Sequence, residues 1–420
     1  MQSSRNPEMT CKTLLQFSLV SKQCLEESRR YAFDRLHLGL SSTWPPTVTG
    51  PEPIPVDARP ARLSLATSRI EEFYALLLAN TTLGTDTGGV LAHDLPVILD
   101  LLPSLTSLGV TNHLPVKLCH WTALPPQLQE AIARCCTRQS IRKLGFAEFY
   151  DFPYTLFMAP PNLEELYLSY VFEPEAKVQP VVVRRPQRLK TVSMVDYGSP
   201  VVEDLLQEDP EAFSEVVTII WNIQNQVDVD VLGRLFQLCV TSLQEVNLEF
   251  GVMLPWGDAT NFDALKLMPP IKRLSLSSHI HLPITEDEGE HFRFGLSYDL
   301  HLFQSLLQTQ HHLDVLEVKV GLSTYNNFRL THNLPSRILH KRKAWKAFDE
   351  YLASPLSSDL PAPIGIHVNV TWPWPEYFLS HEPWSGKEQA FREPLQREMC
   401  ACLKRSLEAG RVTLNYTWYT

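Results

Sequence analysis

Along the chain, an apolar residue is followed three and five positions later by two more, a short L-x-x-L-x-L frame. It stands at Leu105-Leu108-Val110, Ile141-Leu144-Phe146, Leu163-Leu166-Leu168 and Leu189-Val192-Met194. It continues at Val216-Ile219-Trp221, Leu243-Val246-Leu248, Ile271-Leu274-Leu276 and Leu313-Leu316-Val318. Successive frames start 36, 22, 26, 27, 27, 28 and 42 residues apart. The last two apolar residues of a frame, two apart, share one side of a strand, and the first closes the bend leading into it. Several intervals carry an amphipathic run: Leu128, Ile132, Cys135; Leu232, Leu235, Phe236, Cys239; and Leu300, Phe303, Leu306, Leu307. These follow the i, i+3, i+4, i+7 spacing of a helix with one buried stripe. Strand, helix, strand at this interval predicts parallel neighbours, and a unit so short buries a core only by stacking on the next.

Proline sharpens this picture. The chain has 32 prolines in 420 residues, above the usual ~5%. Pro103, Pro160-Pro161, Pro186 and Pro269-Pro270 each stand just ahead of a frame. Proline lacks the N–H and pushes its predecessor toward extended geometry, so each ends a helix and admits a strand. Hydrophobic residues make up 44% of the chain, enough for a large core. The expected class is α/β, with parallel strands and helical crossovers in a stacked array. An ordinary α/β domain whose strands merely look repeated is the alternative.

From about Pro103 to Val320 the frame resembles the leucine-rich repeat, which implies a solenoid. Regular members place Asn or Cys three positions after the last apolar residue; here Phe149, Val171, Tyr197, Gly251 and His279 stand there, so an irregular array is expected. The resemblance divides the chain into a helical segment at 1–38, a linker and lead-in coil at 39–104, a leucine-rich-repeat-like solenoid at 105–320 and a capping region at 321–420. In that last region Trp345, Phe348 and Leu352 mark a helix from Lys341, and Ile364-Ile366-Val368-Val370 alternates as a strand. A further helix is expected from about Leu395 to Ala409, stopped by Gly410, before a strand from Val412 to Tyr416. A separate partner-binding module is the alternative for this region.

Residues Thr10 to Leu38 predict two short amphipathic helices running into a strand, with Leu14, Leu15, Leu19 and Val20 at helical spacing. Ser18-Leu19-Val20-Ser21-Lys22 and Arg29-Arg30-Tyr31-Ala32-Phe33 resemble the second half of an F-box, particularly the fungal form. In that family a Leu-Pro-x-Glu helix lies some fifteen residues upstream of this match, whereas only Met1 to Met9 precede it here, so the F-box is expected to be incomplete, through either a truncated start or a degenerate segment that no longer docks; Cys24 stands where a Trp is usual. An F-box followed by leucine-rich repeats is the order found in substrate receptors of cullin-RING ubiquitin ligases. The resemblance implies that Leu14, Leu15, Leu19, Val20 and Ser21 hold the ligase adaptor subunit, that the repeats hold a protein target, and that the ligase chemistry belongs to other subunits. A leucine-rich-repeat scaffold with a vestigial F-box and no ubiquitin role is the first rival.

The polar positions inside the frames form a register of charges: Arg142-Lys143, Glu164-Glu165, Lys190, then Glu245, Lys272-Arg273, Asp314 and Glu317. In a leucine-rich array these positions face the ligand. Their sign alternates from coil to coil, and strands ~4.8 Å apart let opposite charges pair. They either neutralise one another or offer a mixed-charge surface to a protein partner. Tyr167 and Trp221 are candidate aromatic anchors there, Trp221 being equally a candidate for the core.

The net charge of −10 and the absence of a long basic stripe argue against nucleic acid as the main partner. The eight cysteines form no Cys-x-x-Cys pair, and their apolar neighbours suggest buried thiols in a reducing compartment, cytoplasm or nucleus. No apolar run approaches the ~18 residues of a membrane span. No nucleophile elbow, phosphate loop or zincin helix occurs, so neither catalysis nor a cofactor is expected. His279, His281, Glu286, Asp287, Glu288, Glu290, His291, His301, His311 and His312 are the best metal candidates. A metal-dependent hydrolase built on them is a distant third reading, because alternation with Ile280 and Leu282 places the first two histidines on an exposed strand end.

Overall fold

A computed structural model describes residues 35–42, 64–67, 71–79, 95–100, 105–112, 119–172, 188–195, 197–250, 261–282, 300–310, 312–324, 342–371 and 384–419. The chain divides into two compact units, Met1–Ser214 and Glu215–Thr420.

The first unit holds strands β1 (Arg35–Ser42), β2 (Ser64–Thr67), β3 (Glu71–Ala79), β4 (Ser107–Asn112), β5 (Cys119–His120), β6 (Lys143–Tyr150), β7 (Glu165–Val171) and β8 (Thr191–Met194). Its sheet runs β2-β3-β1-β4-β6-β7-β8, with β5 pairing β6. Every pairing is parallel except β2 with β3. The helices are α1 (Leu95–Asp100), α2 (Pro126–Cys136), α3 (Thr155–Met158) and α4 (Ser199–Glu208). The second unit holds β9 (Thr218–Ile223), β10 (Glu245–Phe250), β11 (Arg273–Leu282), β12 (Val315–Thr324), β13 (Ile364–Thr371) and β14 (Val412–Tyr419), adjacent in chain order. All five pairings are parallel. Its helices are α5 (Gln226–Leu238), a helical run over 300–307, α6 (Arg342–Leu352), α7 (Trp384–Cys402) and α8 (Lys404–Glu408). The fold is α/β with open, parallel, solenoid-like sheets.

Each of the eight frames forms a strand, and every frame residue is buried. The register aligns them: Leu108, Leu144, Leu166 and Val192 in one row, Val110, Phe146, Leu168 and Met194 in the next. The second unit repeats this with Ile219, Val246, Leu274 and Leu316. The predicted helical stripes Leu128, Ile132, Cys135 and Leu232, Leu235, Phe236 are likewise buried. Trp221 is 0% exposed within the row of Leu248 and Leu276. It belongs to the core and is not a surface anchor.

Proline breaks leave backbone polar groups to be satisfied, and a buried side chain does this ahead of β11. The Gln310 carboxamide accepts the Ile271 N–H at 3.2 Å and donates to the carbonyls of Pro269 and Met268 at 3.3 and 3.5 Å. Ahead of α5, Asn225 and Asp228 form a reciprocal capping box. Asp228 lies within the first turn, fully buried, accepting the Gln224 and Asn225 N–H groups. In the last coil Asp349, also buried, accepts the N–H groups of Arg405 and Ser406 at the start of α8.

The parallel sheet continues past Val320 through β13 and β14, joined in register as Val318 to Ile366 to Leu414. The expected helix over Leu395–Ala409 is two helices, α7 and α8, and Gly410 follows with φ +65°, the left-handed conformation glycine adopts without a Cβ clash.

Candidate partner-binding face

A parallel strand presents alternate side chains to opposite faces. With the frame leucines buried on one face, the intervening positions form rows across the other. In the first unit these rows run Ser107, Lys143, Glu165, Thr191 and then Gly109, Gly145, Tyr167, Ser193. Arg142, Glu164 and Lys190 precede their strands and are tied by backbone bonds: Glu164 N–H to the Arg142 carbonyl at 2.7 Å, and Lys190 N–H to the Glu164 carbonyl at 2.7 Å.

The expected pairing of opposite charges occurs in this unit. Arg142 Nη1 donates to Glu164 Oε1 at 2.7 Å, and Lys190 Nζ lies 3.6 Å from Glu164 Oε2. Lys143 Nζ meets Glu165 Oε1 at 2.5 Å. Tyr167, 42% exposed, lies against Gly145, where an added Cβ would sit 3.6 Å from the tyrosine Cβ and Cδ1. A Cβ at 145 would meet the ring in ordinary van der Waals contact, so the tyrosine lies over the neighbouring strand between polar rows.

The second unit differs. Glu245 and Arg273 occupy opposed register positions, followed by Val315. Yet among the described residues Glu245 accepts only a long 3.4 Å contact from Asn247 Nδ2, and Lys272 Nζ donates to the Gln244 side-chain oxygen at 3.4 Å. Among the described residues Arg273 and Asp314 form no ion pair. Glu317 pairs along its own strand with Lys319 at 3.0 Å. Among the described residues, cross-strand neutralisation therefore holds for these charges of the first unit and not for those of the second.

One feature of the first unit escaped the sequence reading. At the end of the strands His120, Tyr150, Phe172 and Tyr197 stack in sequence, with centroids 5.3, 4.9 and 6.1 Å apart. The His120 ring also bonds through Nδ1 to Asp151 Oδ2 at 2.6 Å. Just before this row, alternation breaks in β6 and β7 at Ala147 and Ser169, both buried, and Glu148 and Tyr170 take φ of 66° and 50°. The register aligns these breaks, so both coils turn at one level. Paired burial of consecutive residues, Phe146-Ala147 and Leu168-Ser169, cannot be told from simple alternation in the sequence. The signal available was an aromatic recurring close after each frame, Tyr150 and Phe172 four positions beyond the last frame residue and Tyr197 three beyond it.

The adaptor-binding candidates Leu14, Leu15, Leu19, Val20 and Ser21 lie outside the described residues, as do Glu286 to His291 and His311. His279 and His281 lie in β11, in register with Gly321 and Ser323; His301 and His312 are exposed. Among the described residues no group of three His, Cys, Asp or Glu side chains could hold a metal ion, and no helix is long and apolar enough to cross a membrane. Cys135, Cys136, Cys239 and Cys402 are buried and Cys400 is exposed. Burial pushes the Cys239 thiol up to about 12, and raises those of Cys135 and Cys136. None of these three has the electropositive, accessible setting of a reactive thiol. No protein-family model, no curated protein and no solved structure matches the chain.

Proposed function

We propose that this chain is a non-enzymatic substrate receptor of a cullin-RING ubiquitin ligase. The F-box-like segment at 1–38 holds the adaptor through Leu14, Leu15, Leu19, Val20 and Ser21. A leucine-rich-repeat-like array presents a protein target on its outward rows, in the cytoplasm or nucleus. One observation carries the reading: each of the eight frames leads into a strand paired in parallel within its unit, with its frame residues buried, and the frames follow the F-box-like residues in the receptor order. Outward charges of both signs suit a protein target better than a polyanion. Affinity capture with purified full-length chain tests it: the adaptor is enriched over a control chain carrying Leu19→Asp and Val20→Asp. Equal recovery on both would sink the receptor role.

The scaffold reading draws on a different observation. Arg142, Lys143, Glu164, Glu165 and Lys190 pair with one another, which favours a solvated surface over a docking site at that part of the face. Under it, target binding persists with no adaptor.

A further inference from the structure

The two units place basic pairs at the same point of the frame. Arg142-Lys143 lies between Ile141 and Leu144, and Lys272-Arg273 between Ile271 and Leu274. What the next coil supplies differs. In the first unit it is Glu164-Glu165, and both cations are neutralised from within. In the second it is Asp314-Val315, so Val315 occupies the register position where Glu165 stands in the first. Arg273 forms no ion pair among the described residues, and Lys272 reaches only an amide oxygen. Both cations are exposed, and Val315 beside them is 39% exposed.

We propose that Lys272 and Arg273, with Val315 as the apolar floor, form the subsite at which a target protein docks an acidic side chain beside an aliphatic one. The inference rests on the outward rows being the target face. The partner's carboxylate takes the place that Glu165 takes in the first unit. The guanidinium fork of Arg273 suits bidentate carboxylate recognition, with the Lys272 ammonium adding a second, rotatable donor. Asp314 and Glu245 border the site and repel a carboxylate placed anywhere but over the cations, which fixes its register.

The test titrates the full-length chain with a fluorescent peptide alternating glutamate and valine, and with its glutamine–valine counterpart, at low salt. The glutamate peptide binds saturably and at least about fivefold tighter than the glutamine peptide, and the difference shrinks as salt screens the charges. Val315→Glu installs the internal carboxylate of the first unit and removes this preference, whereas Val315→Gln retains it. Arg273→Ala weakens the glutamate peptide, Asp314→Asn tightens it, and Arg142→Ala leaves it unchanged. Equal binding of the two peptides, a Val315→Glu chain that binds like wild type, or equal losses from Arg142→Ala and Arg273→Ala would each overturn the subsite. No adaptor enters this titration. A chain that prefers the glutamate peptide yet fails to capture the adaptor therefore counts against the receptor reading and not against the subsite.

Discussion

The side-chain oxygen of Gln310 accepts the backbone N–H of Ile271, a residue 39 positions earlier, at 3.2 Å. One buried carboxamide thereby closes the break made by Pro269-Pro270 and fixes the lead-in to β11. Gln310→Leu keeps the volume but leaves the Ile271 N–H without its partner, a loss of about 2 kcal/mol. Chemical denaturation should show a lower midpoint with an unchanged m-value; a midpoint equal to wild type would remove Gln310 from the account.

Gly233 of α5 packs on the turn at Asp263–Leu267, and a Cβ at 233 would stand 2.7 Å from the Ala264 Cβ. Gly233→Ala should destabilise by about 1–3 kcal/mol despite the better helix propensity of alanine. Adding Ala264→Gly should recover part of that loss in a thermal melt. Lack of any rescue would mean that the contact is not the cause.

The buried thiols give the chain an alkaline weakness. Each has a folded-state pKa above its ordinary value of 9.0, to about 12 for Cys239. Their contribution is complete below the unfolded pKa and is lost as pH rises toward the folded one. Melting temperature should therefore fall between pH 9 and 12, and a Cys239→Ala chain should fall less steeply. Thiol labelling of the native protein at pH 8 should reach Cys400 before Cys135, Cys136 or Cys239.

The charge ladder of the first unit is a surface feature and should behave as one. A double-mutant cycle on Lys143 and Glu165 should give a coupling of about 0.2–1 kcal/mol that shrinks in high salt. A coupling of several kcal/mol would mean that the pair is shielded from solvent in a way its exposure contradicts.

Much of this architecture is readable from residue order, and the parts that are not have physical reasons. Leu144 and Phe146, or Val246 and Leu248, announce a strand because two buried residues at spacing two suffice to mark a face. The coils after Val320 hide the same frame. Pro361 precedes Ile364-Ile366, and Ala409 precedes Val412-Leu414, so a proline and an alanine fill the place held elsewhere by leucine, isoleucine or valine. Gln310 gives no signal because its partners are backbone atoms distant in sequence. Charge alternation anticipated Lys143 with Glu165 but also suggested Glu245 with Arg273. Register placed the latter two opposite one another, while side-chain conformation left them unpaired. Trp221 illustrates the reverse case: aromatic character suggested an anchor, whereas its frame position, last of three apolar residues, put it in the core.

The most direct test of the receptor account is a calorimetric titration of the purified full-length chain with the cullin adaptor. The account predicts a saturable heat at one adaptor per chain, abolished by Leu19→Asp with Val20→Asp and unchanged by Lys272→Ala with Arg273→Ala. Absence of a binding heat with the wild-type chain, or a heat indifferent to Leu19 and Val20, would contradict it.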